Sequence, residues 1–156
     1  NAYARQLAYL CNEAEKGEAL LAAFNKKMDK LASKIDEAQK KNALYLGVYG
    51  DQCYGGVRGS SYHDVIITAG LHDCTDAAEW GTPWPQYSSE QVIKLNPNYI
   101  ITQKGSAEAI MRVPGFASLQ AVVNSKIIEV DAFLINDPGL LMYETAKFIQ
   151  EAAYAQ

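Results

Sequence analysis

Two histidines and three cysteines are all that 156 residues supply in imidazoles and thiols. Cys11, Cys53 and Cys74 are odd in number and none stands in C-x-x-C spacing, which speaks against a zinc site or a disulfide framework. Three free thiols are expected, with Cys53–Cys74 as the one bridge that two loops in an oxidising compartment would allow. His72, Asp73 and Cys74 are consecutive and do not easily face one ion together, so no metal site is expected. Ser60, Ser61 and His63 lack a G-x-S-x-G elbow, and no catalytic residue is assigned. The Gly55–Ser61 loop leads into a helix like an anion cradle, but it has neither the lysine of a P-loop nor dinucleotide-fingerprint spacing. Basic excess is missing too: a net charge of −4 removes the stripe that nucleic acid requires. No run of about eighteen apolar residues is present, so no segment reads as a membrane-crossing helix. Asn1 opens on a helical pattern without a basic-then-apolar leader. That reads as a signal peptide already removed, or as a piece excised from a longer chain.

What is present is an alternation of helical and strand patterns. Residues 2–16 read as a helix, and Gly17, costing about 1 kcal/mol relative to Ala in a helix interior, is the expected break. A longer helix follows from Glu18 to about Lys40. Leu21, Phe24, Met28, Leu31, Ile35 and Ala38 recur on one face, the pattern of a helix lying across a globular body. Residues 43–49 form a continuous apolar run, as in a strand buried on both faces of a parallel sheet. Ser60 or Ser61 caps a helix to about Ala69, and residues 71–87 form a long aromatic-bearing loop. Residues 99–103 and 127–131 read as further strands, with helices over 106–112 and 116–124. Asp137 with Pro138 opens a last helix to about Tyr154. The order predicts an α/β fold, a three-layer α/β/α lobe with a mostly parallel sheet, preceded by a long helix.

The stretch Gly81–Gln103 organises the rest. Pro83 and Pro85 each fix their own φ and push the preceding residue out of the helical region, so Trp84 is held on a stiff extended turn. Ser88 or Ser89 then caps a short helix that offers Glu90 in its first turn, where the helix dipole alone favours a carboxylate. Asn96-Pro97-Asn98 stops the helix before the strand at Tyr99.

In an open parallel sheet, ligands sit beyond the carboxyl ends of the strands. Those ends deliver Tyr49, the Gln103–Gly105 turn, Asp131 and Phe133, while the surrounding loops bring Tyr54, Trp80, Trp84 and Tyr87. Such an aromatic rim with few charges suits a large, flat or partly apolar ligand held by stacking. Each residue also has a plain structural role open to it: Trp84 over a helix end, Tyr49 in the core, Asp131 as a cap. Tyr54 or His72 would be the axial donor if the cargo were haem.

Pro-Trp-Pro-Gln-x-Ser-x-Glu-Gln-Val, then Asn-Pro-x-x-Ile-Ile, and later Leu-Gln-Ala-Val-x-Asn-x-Lys-Ile-Ile-Glu-Val-Asp, resemble the carboxyl-terminal lobe of ABC-importer substrate-binding proteins for cobalamin, haem and ferric siderophores. The Pro-Trp-Pro-Gln element is most like the cobalamin binders. The resemblance implies that residues 1–17 are the tail of a missing amino-terminal lobe. It makes 18–41 the helix joining two lobes and 42–156 the ligand-binding lobe. It implies an extracytoplasmic lipoprotein without catalysis or resident cofactor. Its partners would be a small-molecule cargo and the permease subunits, with no nucleic acid, and it would meet the membrane only through a lipid anchor or the permease. By position, Trp84 and Tyr49 resemble cleft aromatics, Asp131 a polar ligand contact, and Glu90 the glutamate that docks on permease arginines. The arginine expected just beyond Asp131 is absent, and Ile135 stands near there. A tetrapyrrole-binding enzyme domain of the same architecture, and an interaction module with an aromatic face, are the rival readings.

Overall fold

The computed structural model describes residues 2–50 and 52–155. Two helices open the chain, α1 (Ala2–Leu10) and α2 (Ala14–Ala32), packed as a hairpin. The break falls at Cys11–Glu13, where Asn12 turns left-handed at φ 55°, and not at Gly17. Gly17 lies inside α2 because the hairpin needs it: a Cβ there would stand 2.3 Å from Ala8 Cβ. The residue that looked like a breaker is a close-approach residue. The helix also ends earlier than Lys40, at Ala32. The Ser33 hydroxyl there donates back to Lys30 O at 3.1 Å, and a 3-10 turn at Glu37–Gln39 follows. At about 1.5 Å per residue its 19 residues span about 28 Å. As the periodicity indicated, Leu21 and Leu31 are buried, with Phe24 and Met28 packed against the core.

The sheet forms from β1 (Asn42–Tyr45), β4 (His72–Asp73), β6 (Tyr99–Gln103) and β7 (Ile127–Val130), in the order β4-β1-β6-β7 with every pairing parallel. Its two faces carry separate cores. Ala43, Tyr45 and Ile101 face α2, α3 (Ser61–Thr68) and α8 (Met142–Tyr154). Leu44, Leu46 and Ile100 face α4 (Ser89–Leu95), α5 (Ala107–Arg112) and the short helix α6 (Gln120–Val123). Alternate residues of one apolar run thus serve opposite layers, as expected of a strand covered on both sides. The fold is the three-layer α/β/α lobe.

That run does not continue to Tyr49 as a single strand. Leu46 N donates to Ile101 O at 2.9 Å and Leu46 O accepts from Thr102 Oγ1 at 2.7 Å, after which the chain leaves the sheet. Residues 47–49 become β2 (Gly47–Tyr49) of an antiparallel ribbon with β3 (Gln52–Tyr54) and β5 (Gln86–Tyr87). The long aromatic loop 71–87 holds two short strands, β4 at its start and β5 at its end, and β3 leads directly into the Gly55–Ser61 loop. The 116–124 helix is a 3-10 turn followed by α6. The last helix begins at Met142 rather than 138, because Asp137 spends its carboxylate on Gly139 N at 2.6 Å and forms a turn. Between Asp131 and that turn lies a short helix, α7 (Ala132–Ile135).

Buried Gln150 fastens the amino-terminal helices to the lobe: its Nε2 donates to Leu31 O at 3.0 Å and Ala69 O at 3.3 Å. Those are carbonyls at the ends of α2 and α3, where the helical ladder runs out of donors; Leu31 O also accepts from Lys34 N at 3.2 Å.

Candidate functional site

Each helix that returns along the parallel sheet starts where a strand finishes. The first turns of α3 and α4 therefore lie at the carboxyl side, with the β2-β3-β5 ribbon and the 81–87 loop. Ser60 caps α3, accepting from His63 N at 3.3 Å. Ser88 caps α4 in a full box with Gln91, and Asn96, left-handed at φ 41°, closes it.

Backbone pairing on either side of Trp84 pins its turn: Val57 N donates to Pro83 O at 3.0 Å and Gly55 N to Pro85 O at 3.2 Å. Prolines lack the N–H but keep the acceptor, so both contribute to the clamp. The indole is half-buried. It lies 5.1 Å from the Tyr62 ring and 5.8 Å from the Tyr45 ring, which themselves stack at 4.0 Å. Tyr45 is fully buried at the end of β1. Burial, then the Tyr62 and Tyr49 hydroxyls, raise its phenol well above the usual range.

Tyr49 is 59% exposed and meets Tyr54 edge-on at 6.0 Å, the Tyr54 hydroxyl donating to Gln52 Oε1 at 2.6 Å. One aromatic surface is built from Trp84 and Tyr62, with buried Tyr45 beneath them, and is flanked by Tyr49 and Tyr54. Tyr45 and Tyr62 were not among the expected residues. Tyr45 reads as one more apolar strand position, and only the fold places Tyr62 of α3 over it.

Asp131 and Phe133 follow β7, at the edge of the sheet. Asp131 Oδ1 accepts from Phe133 N at 2.9 Å, so the carboxylate caps its own turn, while Phe133 is 73% exposed. A cavity of about 340 Å³ lies between Asp131, Lys104, Glu129, Leu134 and Phe148. Glu90 is fully exposed, its carboxylate held below the usual range by its own backbone N–H and the Ser88 hydroxyl.

Trp80 and Tyr87 do not join the rim. Tyr87 pairs with Cys53 across β5 and β3 and points inward. Trp80 packs edge-on against it at 5.1 Å and donates to Thr75 O at 3.0 Å. His72 is at the amino end of the sheet, paired with Glu37 at 3.0 Å, far from any ligand position beyond the strands. His63 is held by Asp76 at 3.1 Å, which also takes Arg58. Among the described residues there is no cluster suited to a metal ion. All three cysteines are free thiols.

Asp73 is the buried carboxyl. Its Oδ1 accepts from Thr75 N and Oγ1 at 2.9 and 2.6 Å, while Oδ2 has no partner among the described residues. Burial raises its pKa against the pull of those hydrogen bonds. A folded-state value above the unfolded one means that its stabilising contribution is complete below the unfolded pKa of about 3.9. That contribution is lost as pH rises through the folded value. In Asp73→Asn, the urea midpoint is therefore expected to fall less between pH 4 and pH 8 than in the parent protein. An equally steep fall would show that Asp73 ionises without cost.

A family model described as periplasmic binding protein matches residues 3–133. The uncharacterised ABC transporter substrate-binding lipoprotein YvrC of Bacillus subtilis (strain 168) is 31% identical over 80 residues, covering 51% of this chain and 26% of that protein. A solved ABC-type Fe3+-hydroxamate transport system protein from Saccharomonospora viridis DSM 43017 superimposes with a TM-score of 0.81 at 16% identity, covering 98% of this chain and 54% of the other. The periplasmic heme-binding protein RhuT from Roseiflexus sp. RS-1, in apo form, gives 0.76 at 21% identity, covering 97% and 60%. At such identities the two structures share the fold. The chain spans little more than half of their length.

Proposed function

The chain belongs to the periplasmic binding protein family, and from that premise we propose that it is the carboxyl-terminal lobe of an ABC importer's solute-binding component. It captures a metal chelate outside the cytoplasm and delivers it to the permease, without catalysis and without a resident cofactor. The observation that carries this is the aromatic surface of Trp84, Tyr62, Tyr49 and Tyr54, backed by buried Tyr45, at the carboxyl end of the sheet. Planar rings at that place offer one wall of a cleft to a corrinoid, a haem or a ferric siderophore, ligands too large for one lobe to enclose.

A preceding lobe supplies the other wall, with α2 as the strut between them. Tyr3, Leu7, Tyr9 and Leu10 of α1 are exposed, and Arg5, Gln6, Tyr9 and Leu10 bound a concavity of about 490 Å³, where that lobe packs. YvrC's description as a lipoprotein supports a cell-surface or periplasmic setting with a lipid anchor.

Cyanocobalamin, haem and a ferric trihydroxamate, titrated into the intact two-lobed protein, test the proposal. One of them is expected to quench tryptophan fluorescence saturably, and silence from all three would overturn the assignment. Glu90 is proposed as a permease contact, since an ionised carboxylate stands exposed in the first turn of α4. Glu90→Ala is expected to leave the affinity for that chelate unchanged and to slow uptake by the assembled transporter severalfold. Uptake at the parent rate would reduce Glu90 to a helix-end charge.

A further inference from the structure

Tyr62, Asn136 and Gln103 arrive from the first turn of α3, the end of α7 and the end of β6, and form a hydrogen-bonded chain across the carboxyl side of the sheet. The Tyr62 hydroxyl donates to Asn136 Oδ1 at 3.0 Å. With its oxygen taken by the phenol, the Asn136 amide turns its nitrogen the other way and donates to Gln103 Oε1 at 3.4 Å. The Gln103 amide is turned in its place: its oxygen is engaged, and Nε2 has no partner among the described residues. The first link is rigid. Tyr62 stacks on buried Tyr45 at 4.0 Å and lies beside Trp84 at 5.1 Å, so its ring is held in a three-ring cluster. Donors run in one direction from Tyr62 through Asn136 to Gln103. Chains of this kind polarise each bond in turn.

We propose that Gln103 is a ligand-contacting residue whose amide N–H groups, aimed by Tyr62 and Asn136, bind an oxygen acceptor on the cargo: a carboxylate, hydroxamate or amide carbonyl oxygen. The proposal rests on the aromatic surface being the cargo site. Tyr62 and Asn136 act through Gln103 and are positioning residues. Trp84 supplies stacking and Gln103 supplies orientation, which is the division of labour usual in apolar pockets with few polar groups.

The intact two-lobed protein is titrated with haem, a ferric trihydroxamate and cyanocobalamin. For whichever probe the parent binds, Gln103→Leu is expected to weaken binding fivefold or more while the quench at saturation stays the same. Gln103→Glu separates the sources. It costs more than Leu if a propionate or hydroxamate oxygen is the acceptor. It costs less if a cobalamin amide is, because that amide turns and donates instead. Tyr62→Phe keeps both ring contacts and loses the donor. A roughly threefold loss is expected, absent in the Gln103→Leu background because the two share one pathway. Parent-like affinity in Gln103→Leu overturns the role of Gln103 and leaves the site intact. No binding of any probe by the parent overturns both.

Discussion

Trp84→Ala is expected to weaken binding of the cargo about thirtyfold, equivalent to about 2 kcal/mol from lost stacking and lost apolar contact. The indole is suited to that effect because its position is already determined before the ligand arrives. Proline fixes φ on both sides, and the carbonyls of Pro83 and Pro85 are bound to the β3–α3 segment. Tyr62 lies against one side of the ring at 5.1 Å. Little conformational entropy remains to be lost on binding, so most of the contact appears as affinity. The indole is half-buried, so its removal also loosens Tyr62. The measurement therefore pairs a titration of the intact protein with a urea midpoint. A folded variant that binds the same chelate at parental affinity would remove Trp84 from the site. The aromatic surface would then have to be read as core that reaches the boundary.

The layered architecture was legible because periodicity reports burial directly. The run 43–46 announces a doubly covered strand, and the face of Leu21, Phe24, Met28 and Leu31 announces a helix lying on a core. Two kinds of feature were not legible. Gly17 looks the same whether a helix breaks there or another helix comes close, and only the distance to Ala8 decides between them. Likewise Tyr49, Tyr54, Trp80 and Tyr87 are equivalent as letters. The antiparallel ribbon divides them, since side chains alternate across a strand: Tyr87 turns inward opposite Cys53, while Tyr49 stays in solvent. Tyr62 and Asn136 carried no sequence signal at all. They are 74 positions apart and matter only because the fold brings the first turn of α3 and the end of α7 together at the carboxyl side of the parallel sheet.

Gly55→Ala is expected to cost about 1–3 kcal/mol of stability, the range for forcing an extra methyl into a packed interior. The lower end is unsuitable here because the obstruction includes backbone. The new Cβ would stand 2.4 Å from Tyr45 O and from Tyr87 Cε2, and 2.8 Å from the Tyr87 hydroxyl. Neither neighbour has room to yield. Tyr45 O belongs to the central part of the parallel sheet, and Tyr87 is buried against Trp80 and Cys53. Relief must come from moving the antiparallel ribbon off the end of β1. That movement strains the Gly55 N to Pro85 O bond at 3.2 Å, one of the two that hold the Trp84 turn. The substitution should therefore act on two readouts together, lowering the thermal midpoint by several degrees and weakening the fluorescence-detected binding, although Gly55 touches no ligand. A lower midpoint with parental affinity would show that the turn holds Trp84 without the ribbon's help. An unchanged midpoint would mean that the ribbon and the sheet are not packed as tightly as 2.4 Å implies. The physical link at stake is that one missing methyl lets a strand end and an aromatic turn share the same space, and the binding surface exists only where they do.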